Sequence, residues 1–172
     1  AGVIYVPLHG MLYEVADGVF RAYKEVDGQL RPYEGVPKQN CARLTVIGSP
    51  FHKEFLSRIR CQELPVRYIS RGSAFKFGLI ASGEADMYVR PGRTMVWDTA
   101  AGQAMIEACG GEVVDCATRE RLRYNIAEGR LANGAFIAKG CGFKLEELNP
   151  SPYVFTDASQ DTPPSNRMFG RS

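Results

Sequence analysis

The chain has 172 residues, of which 45% are hydrophobic and 23% are charged, and its formal net charge is +2. This length and composition are typical of one globular domain whose core is large enough to be stable without disulfide bonds or a bound metal. The small net charge gives no argument for binding a nucleic acid polymer or a membrane, and the sequence shows no apolar run of membrane-spanning length and no secretory h-region.

The first 23 residues predict a meander of three antiparallel strands. Short apolar or aromatic runs are separated by turn-forming residues, and Asp17-Gly18 is a typical two-residue hairpin turn. The predicted strands are Val3–Val6, Met11–Val15 and Val19–Tyr23. Residues 24–43 are polar and rich in turn formers, so they are predicted to be a surface connection.

From residue 44 the pattern alternates between strands and helices, as in βαβ units. The predicted strands are Leu44–Ile47, Val66–Ile69, Asp86–Val89, Glu112–Asp115 and Ala135–Ala138; the predicted helices are Pro50–Arg60, Ser73–Ser82 and one that begins at Asp98. This order predicts a layered α/β domain over residues 1–140, with a mixed sheet flanked by helices. Residues 141–172 are rich in proline and polar residues, which indicates a loosely packed or disordered tail.

The five cysteines form no C-x-x-C pair and leave one cysteine over; they stand at positions 41, 61, 109, 116 and 141. This pattern favours reduced thiols in a cytoplasmic protein over a disulfide framework or a zinc site. The sequence has two histidines, which argues against a histidine-rich metal centre.

The helix that begins at Asp98 is the segment most informative about function. Asp98 is a favoured N-cap type, and Gly110 can end the helix in the left-handed conformation. Residues 100, 101, 104, 105 and 108 form a face of alanines and one methionine that permits close packing. The helix N-terminus attracts anions, and a carboxylate there can hold a hard divalent cation against a phosphate. The residues alone leave open that Asp98 only caps the helix, and Trp97 is predicted to support the core.

A second group of candidate residues follows two predicted strands. Gly72, Ser73 and Lys76 stand at a strand-to-helix junction, which offers helix amides, a hydroxyl and an ammonium to an anion. Arg90 lies just beyond the strand Asp86–Val89, and its planar guanidinium suits bidentate phosphate recognition. The alternatives are that Ser73 is an N-cap, that Lys76 is a solvated charge and that Arg90 is a surface arginine.

The Trp-Asp-Thr-Ala-Ala-Gly motif at residues 97–102, followed by Cys-Gly-Gly at 109–111, resembles the C-terminal signature of the inositol monophosphatase superfamily, the Mg2+-dependent, Li+-sensitive sugar and nucleotide phosphatases. Residues 72–77 and 85–96 resemble the branch of CysQ-like 3'(2'),5'-bisphosphate nucleotidases. The resemblance implies the C-terminal part of the inositol monophosphatase fold. It also implies Mg2+ as cofactor with Asp98 as a metal ligand, and a substrate contacted by Gly72, Ser73, Lys76 and Arg90.

The family normally has an N-terminal half with a Glu-Glu pair and an Asp-Pro-Ile/Leu-Asp-Gly-Thr loop, which supply most of the metal ligands. Neither motif stands in this sequence, so the chain resembles a C-terminal half. The implied activity is hydrolysis of 3'-phosphoadenosine 5'-phosphate to AMP and phosphate, in which this chain supplies the nucleotide side and one metal ligand and is inactive alone. An inositol monophosphatase and a non-catalytic nucleotide-binding or interaction module stay open as alternatives.

The expected ligand is a small phosphorylated nucleotide or a sugar phosphate, with no nucleic acid polymer and no membrane as partner. If a complementary N-terminal half belongs on this domain, the surface that receives it should be apolar and exposed. Such a face on a globular protein usually marks a partner surface. We therefore expect self-association or binding to a complementary half.

Overall fold

The fold is seen in a computed structural model that describes residues 1–35, 43–49, 60–61, 64–142, 145 and 148–149. Most of the predicted helix Pro50–Arg60 and of the predicted tail lies outside the described residues. The helices described are α1 (Phe75–Ala81) and α2 (Val96–Ala108); the strands are β1 (Gly2–Val6), β2 (Met11–Ala16), β3 (Val19–Val26), β4 (Gln29–Pro32), β5 (Leu44–Gly48), β6 (Arg60–Cys61), β7 (Val66–Ser70), β8 (Met87–Arg90), β9 (Thr94–Met95), β10 (Glu112–Asp115), β11 (Ala132–Asn133), β12 (Phe136–Lys139) and β13 (Leu148–Asn149). Neither of these two helices is long and apolar enough to cross a lipid bilayer.

The N-terminal strands form a four-stranded antiparallel sheet in the order β1-β2-β3-β4. Asp17 and Gly18 both have positive φ, at 51° and 73°, as a tight hairpin turn that matches the strand twist requires. Asp27 and Gly28 repeat this geometry, with φ of 54° and 73°, and join β3 to β4. The predicted surface connection over residues 24–43 is therefore wrong for residues 24–32. All four residues of β4 are exposed, so this strand lacks the alternation that identifies a half-buried strand.

The second large sheet is mixed and has five strands in the order β10-β12-β8-β5-β7. β5 runs parallel to both β7 and β8, whereas β12 is antiparallel to β8 and β10. Every residue of β5 is buried, as expected for a central strand that is covered on both faces. The mixed sheet of the sequence prediction is confirmed.

Helices α1 and α2 lie between the two sheets and join them through one core. Phe77 of α1 contacts Phe136 of β12 in this core, and Tyr13 of β2 packs into it from the other sheet. Two glycines make the close approach possible: Gly102 faces the Phe77 ring and Gly78 faces the Tyr13 ring, and a Cβ at either position would overlap the ring. The protein is therefore layered, with antiparallel sheet, helices and mixed sheet in that order.

The outer face of the four-stranded sheet, opposite the helices, carries exposed apolar side chains. Val3, Tyr5, Val19 and Leu30 are 62%, 51%, 48% and 50% exposed. Strand register places them on one face, because residues directly opposite each other in an antiparallel pair point to the same side. We call these four residues the outer sheet face. The same face also carries Glu14, Arg21 and Glu25, so charged side chains stand among the apolar ones, and the expected apolar partner surface stays a prediction.

Candidate functional site

A cavity of about 340 Å3 opens beyond the carboxyl ends of β5 and β8 and beside the loop that follows β7. Ligands of open α/β sheets bind at this place, outside the carboxyl ends of parallel strands. Because α1 follows β7 and α2 follows β9 shortly after β8, the first turns of both helices also reach the cavity. Its polar lining includes Ser73, Lys76, Arg90, Thr94 and Asp98.

The structure brings together four of the five residues that sequence analysis selected. Ser73, Lys76, Arg90 and Asp98 all line the cavity, although they come from three separate segments of the chain. Gly72 is exposed, with open space where a side chain would stand, and does not belong to the lining. The role of these residues in ligand binding stays a prediction.

Lys76 is the buried cation of the cavity, with only 4% of its surface exposed. Its Nζ donates hydrogen bonds to the Ser73 carbonyl at 2.9 Å and to the Arg71 carbonyl at 3.4 Å, and lies 4.7 Å from the centroid of the Tyr88 ring. Burial, followed by the positive charge of Arg90, lowers the pKa of Lys76 to about 8. The alternative of a solvated lysine is therefore wrong. An ammonium held in this way gains from a bound anion, because the anion compensates the lost hydration.

Ser73 does not begin α1, contrary to the predicted helix Ser73–Ser82. The helix starts at Phe75, and Ser73 lies before it with a φ of +52°, in the left-handed region. Few non-glycine residues adopt this conformation. The turn directs the Ser73 carbonyl to the ammonium of Lys76, so the backbone of this residue positions the buried cation.

Arg90 is held by the turn that follows β8. Its Nε donates to the Gly92 carbonyl and its Nη2 to the Arg93 carbonyl, both at 3.2 Å. Burial raises the pKa of the neighbouring Tyr88 to about 12, although the Arg90 guanidinium acts in the opposite direction. Tyr88 is therefore a neutral hydroxyl at physiological pH. The guanidinium is fixed in place beside the ammonium of Lys76.

Asp98 stands in the first turn of α2 and not at its N-cap, since the helix begins at Val96. Its Oδ2 accepts a hydrogen bond from the Met95 amide at 2.9 Å, so the carboxylate caps the helix from the third helical position. The side chain is exposed at the cavity. The predicted helix start is wrong by two residues, but Asp98 combines a capping contact with an accessible carboxylate.

Trp97 is 65% exposed and lines the cavity, so its predicted role as core support is wrong. Ala100 of the predicted small face is also exposed. Met105 of that face is buried, and Ala101, Ala104 and Ala108 are half-buried and pack against the core. The other buried residues of α2 are Val96, Thr99, Gly102, Gln103 and Ile106. The close packing predicted for the small face is present at Ala101, where a Cβ on Gly2 of β1 would overlap the helix backbone.

A buried polar network, which the sequence did not predict, fixes the start of α2. The Thr99 hydroxyl accepts hydrogen bonds from the Tyr124 hydroxyl at 3.1 Å and from the Asn133 amide at 2.9 Å, and donates to the Val96 carbonyl at 3.3 Å. Satisfied buried networks rigidify what they connect. Thr99 therefore anchors the helix turn that presents Trp97 and Asp98 to the cavity.

Asp98 alone does not make a complete metal site. Among the described residues, no group of three or more His, Cys, Asp or Glu side chains could hold a metal ion. Mg2+ demands near-octahedral oxygen ligands, and it combines one or two carboxylates with water and substrate phosphates. The hard, exposed carboxylate of Asp98 suits one of these positions, and a metal site that used it would need its other protein ligands from outside the described residues.

Comparison with known proteins identifies the family. A sequence model described as the inositol monophosphatase family matches residues 1–148, and the chain belongs to this family. The 3'(2'),5'-bisphosphate nucleotidase CysQ of Escherichia coli (strain K12) is 34% identical over 119 residues, which are 66% of this chain and 45% of the relative. The nucleotidase CysQ of Salmonella typhimurium is 37% identical over 117 residues, again 66% and 45% of the two chains.

The crystal structure of CysQ from Bacteroides thetaiotaomicron, a bacterial member of the inositol monophosphatase family, has the same fold. Its TM-score is 0.63 at 29% identity, and the match covers 80% of this chain and 56% of that chain. The fold and family indicated by the sequence are confirmed. This chain spans about half the length of the relatives it matches.

Proposed function

We propose that this chain forms the nucleotide-binding side of a Mg2+-dependent 3'(2'),5'-bisphosphate nucleotidase, which hydrolyses 3'-phosphoadenosine 5'-phosphate to AMP and phosphate. The observation that carries the proposal is that two cations, Lys76 and Arg90, and one accessible carboxylate, Asp98, line the same cavity. The sequence relationship to the CysQ nucleotidases supports the choice of substrate.

Each of the three charged residues has a separate task in this proposal. Lys76 and Arg90 are fixed by backbone carbonyls and neutralise the phosphates of the nucleotide. Asp98 contributes one oxygen ligand to Mg2+, and the remaining ligands come from a part of the family fold that lies outside the described residues. When the metal is bound, it supplies Lewis-acid activation of the phosphoryl group and of water.

A second candidate function is nucleotide binding without hydrolysis. The observation that favours it is the single carboxylate at the cavity, since the described residues contain no complete metal site. The two functions share the same anion-binding residues. They differ only in whether phosphate is released when the chain meets Mg2+ and any complementary half.

Titration of the chain with adenosine 3',5'-bisphosphate, inositol 1-phosphate and glucose tests the proposal. We expect the nucleotide to bind more tightly than inositol 1-phosphate, glucose not to bind, and nucleotide affinity to fall with added salt. Lys76→Gln should weaken nucleotide binding, whereas Lys24→Gln, which changes an exposed lysine on β3, should not. Stronger binding of inositol 1-phosphate, or equal binding by the Lys76→Gln variant and the parent, contradicts the nucleotidase assignment.

A further inference from the structure

Two thiols line a second, smaller cavity at the far end of α2, which we call the thiol cavity. It has a volume of about 180 Å3, and Cys109 and Cys141 both belong to its lining. Cys109 is the C-cap residue of α2, so at a rise of about 1.5 Å per residue it lies about 16 Å from Asp98 along the helix axis. The thiol cavity is therefore separate from the cavity that Asp98 and Lys76 line.

Cys141 follows β12 and packs against the glycine that comes directly after Cys109. Its Sγ and Cβ lie 3.5 Å and 3.8 Å from the point where a Cβ on Gly110 would stand. The two Cβ atoms of a disulfide are about 3.8 Å apart on average, so Cys141 is one residue out of step with a partner at bonding distance. Gly110 and Gly142 both have positive φ, at 76° and 81°. The backbone beside each cysteine is therefore permissive enough for the small shift that brings the two sulfurs together.

The two cysteines differ in accessibility, and neither is in a disulfide. Cys141 is exposed, whereas Cys109 is half-buried. Burial, followed by the charge of the neighbouring Cys141, raises the pKa of the Cys109 thiol. Because the thiolate is the nucleophile, Cys109 alone reacts slowly with an oxidant in solution. Cys141 is therefore the thiol that an oxidant meets first, and Cys109 is placed to react second.

We propose that Cys109 and Cys141 form a reversible thiol-oxidation site, which low-molecular-weight disulfides convert into an intramolecular disulfide. The Cys141 thiolate attacks one sulfur of the small disulfide, which gives a mixed disulfide and releases one small thiolate. The Cys109 thiolate then attacks the Cys141 sulfur and releases the second small thiolate. Each protein thiol gives up one proton, which the released thiolates take up. Two protein thiols and one small disulfide thus become one protein disulfide and two small thiols.

This disulfide joins the end of α2 to the end of β12 and closes residues 109–141, which include β10, into one loop. Asp98 at the start of α2 and Phe136 at the start of β12 line the other cavity, so the bond ties together two elements that build it. A cross-link that closes a loop of this length restricts the unfolded chain. The oxidised chain should therefore melt roughly 5 to 15 °C above the reduced chain.

Peptide mapping after equilibration of the full chain with mixtures of oxidised and reduced glutathione tests the proposal. Cleavage after lysine, arginine and glutamate separates three of the cysteines: Cys109 falls in residues 108–112, Cys116 in 113–119 and Cys141 in 140–144. We expect residues 108–112 and 140–144 to be linked in the oxidised chain, and dithiothreitol to separate them. A link between any other pair of cysteines, dimers joined by disulfides in place of the internal bond, or free thiols at 109 and 141 at the most oxidising ratio overturns the proposal.

Three serine variants assign the order of the steps. Cys109→Ser should accumulate a mixed disulfide between Cys141 and glutathione, because the second thiol is missing. Cys141→Ser should leave Cys109 reduced. Cys61→Ser changes a half-buried cysteine of β6 outside the thiol cavity, and it should oxidise like the parent. Glutathione attached to Cys109 in Cys141→Ser contradicts the order, and loss of the internal disulfide in Cys61→Ser contradicts the pairing.

The melting temperature gives a second readout. An oxidised chain that melts at or below the temperature of the reduced chain would show that the bond strains the fold, and would contradict a site built for oxidation. None of these measurements involves nucleotide or Mg2+, so their outcomes are independent of the proposed function.

Discussion

Replacement of Lys76 by methionine is expected to stabilise the chain while it removes anion binding. The pKa of Lys76 is lowered from its ordinary value of 10.5 to about 8, mainly by burial and further by Arg90. When the ammonium is charged, this difference corresponds to about 3 kcal/mol of destabilisation. Methionine has a similar length and no charge, but it loses the hydrogen bonds to the Ser73 and Arg71 carbonyls, which offsets about 1 kcal/mol. The expected gain is about 2 kcal/mol at pH 7.

The pH dependence of this gain identifies its cause. Because the folded-state pKa of Lys76 lies below the unfolded-state value, the unfolded chain binds more protons between pH 8 and 10.5. The free energy of unfolding of the parent therefore rises with pH over this range, whereas that of Lys76→Met lacks the rise that Lys76 causes. The difference in free energy of unfolding between the two proteins should decrease by about 2 kcal/mol from pH 7 to pH 10. Most of the pH-dependent effect of Lys76 falls in that interval.

Urea denaturation of both proteins at pH 7, 8, 9 and 10 measures the difference directly. Other groups titrate in the same range, but they are common to the parent and the variant and cancel in the comparison. Lys24→Met, which removes an exposed lysine of β3, serves as the matched control and should show no such narrowing. If Lys76→Met is less stable than the parent at pH 7, or if the difference in free energy of unfolding does not change with pH, the buried charge of Lys76 does not destabilise the folded chain.

Three further predictions concern the helices and the surface. The isolated chain should release no phosphate above background from 3'-phosphoadenosine 5'-phosphate with Mg2+. Asp98→Ala should lower the free energy of unfolding by about 1 kcal/mol, because the helix loses its cap. Mg2+-dependent phosphate release by the parent that disappears in Asp98→Ala would contradict the first expectation, because it would show a complete site. Gly102→Ala should destabilise by about 2 kcal/mol because its methyl overlaps the Phe77 ring, whereas Ala100→Gly, on the exposed side of the same helix, should cost only about 1 kcal/mol in urea denaturation. The outer sheet face should cause concentration-dependent association in analytical ultracentrifugation, or binding to a complementary half, and a strict monomer at high concentration contradicts this expectation.

The sequence was informative where local pattern and tertiary environment agree. The hairpin at Asp17-Gly18 and the buried strand β5 follow from turn chemistry and from continuous apolar residues, so both were predictable. The same turn signal at Asp27-Gly28 did not predict a hairpin, because the strand that follows is exposed at all four positions and lacks apolar alternation. This edge strand is held in place by its antiparallel pairing with β3 and not by burial of its side chains.

The sequence selected four residues that line one cavity, Ser73, Lys76, Arg90 and Asp98, but it did not predict their geometry. Lys76 in the first turn of α1 and Arg90 at the end of β8 both line the cavity, whereas the burial of Lys76 depends on packing that no local pattern shows. The exposure of Trp97 depends on the rotation of α2, which is set by Thr99 and its partners far along the chain. A tryptophan is usually expected in the core, but the orientation of α2 leaves the Trp97 side chain exposed.

The strand order of the mixed sheet has a consequence for how the protein is made. The meander β1–β4 pairs neighbouring strands through short turns, so it can close as soon as these residues are synthesised. β8 remains without its antiparallel neighbour until β12 arrives, and the register pairs Phe136 with Arg90. Phe136 also forms part of the cavity wall. Ligand binding at this cavity should therefore report completion of the mixed sheet, and a chain that ends before residue 136 should form the meander without acquiring the binding site.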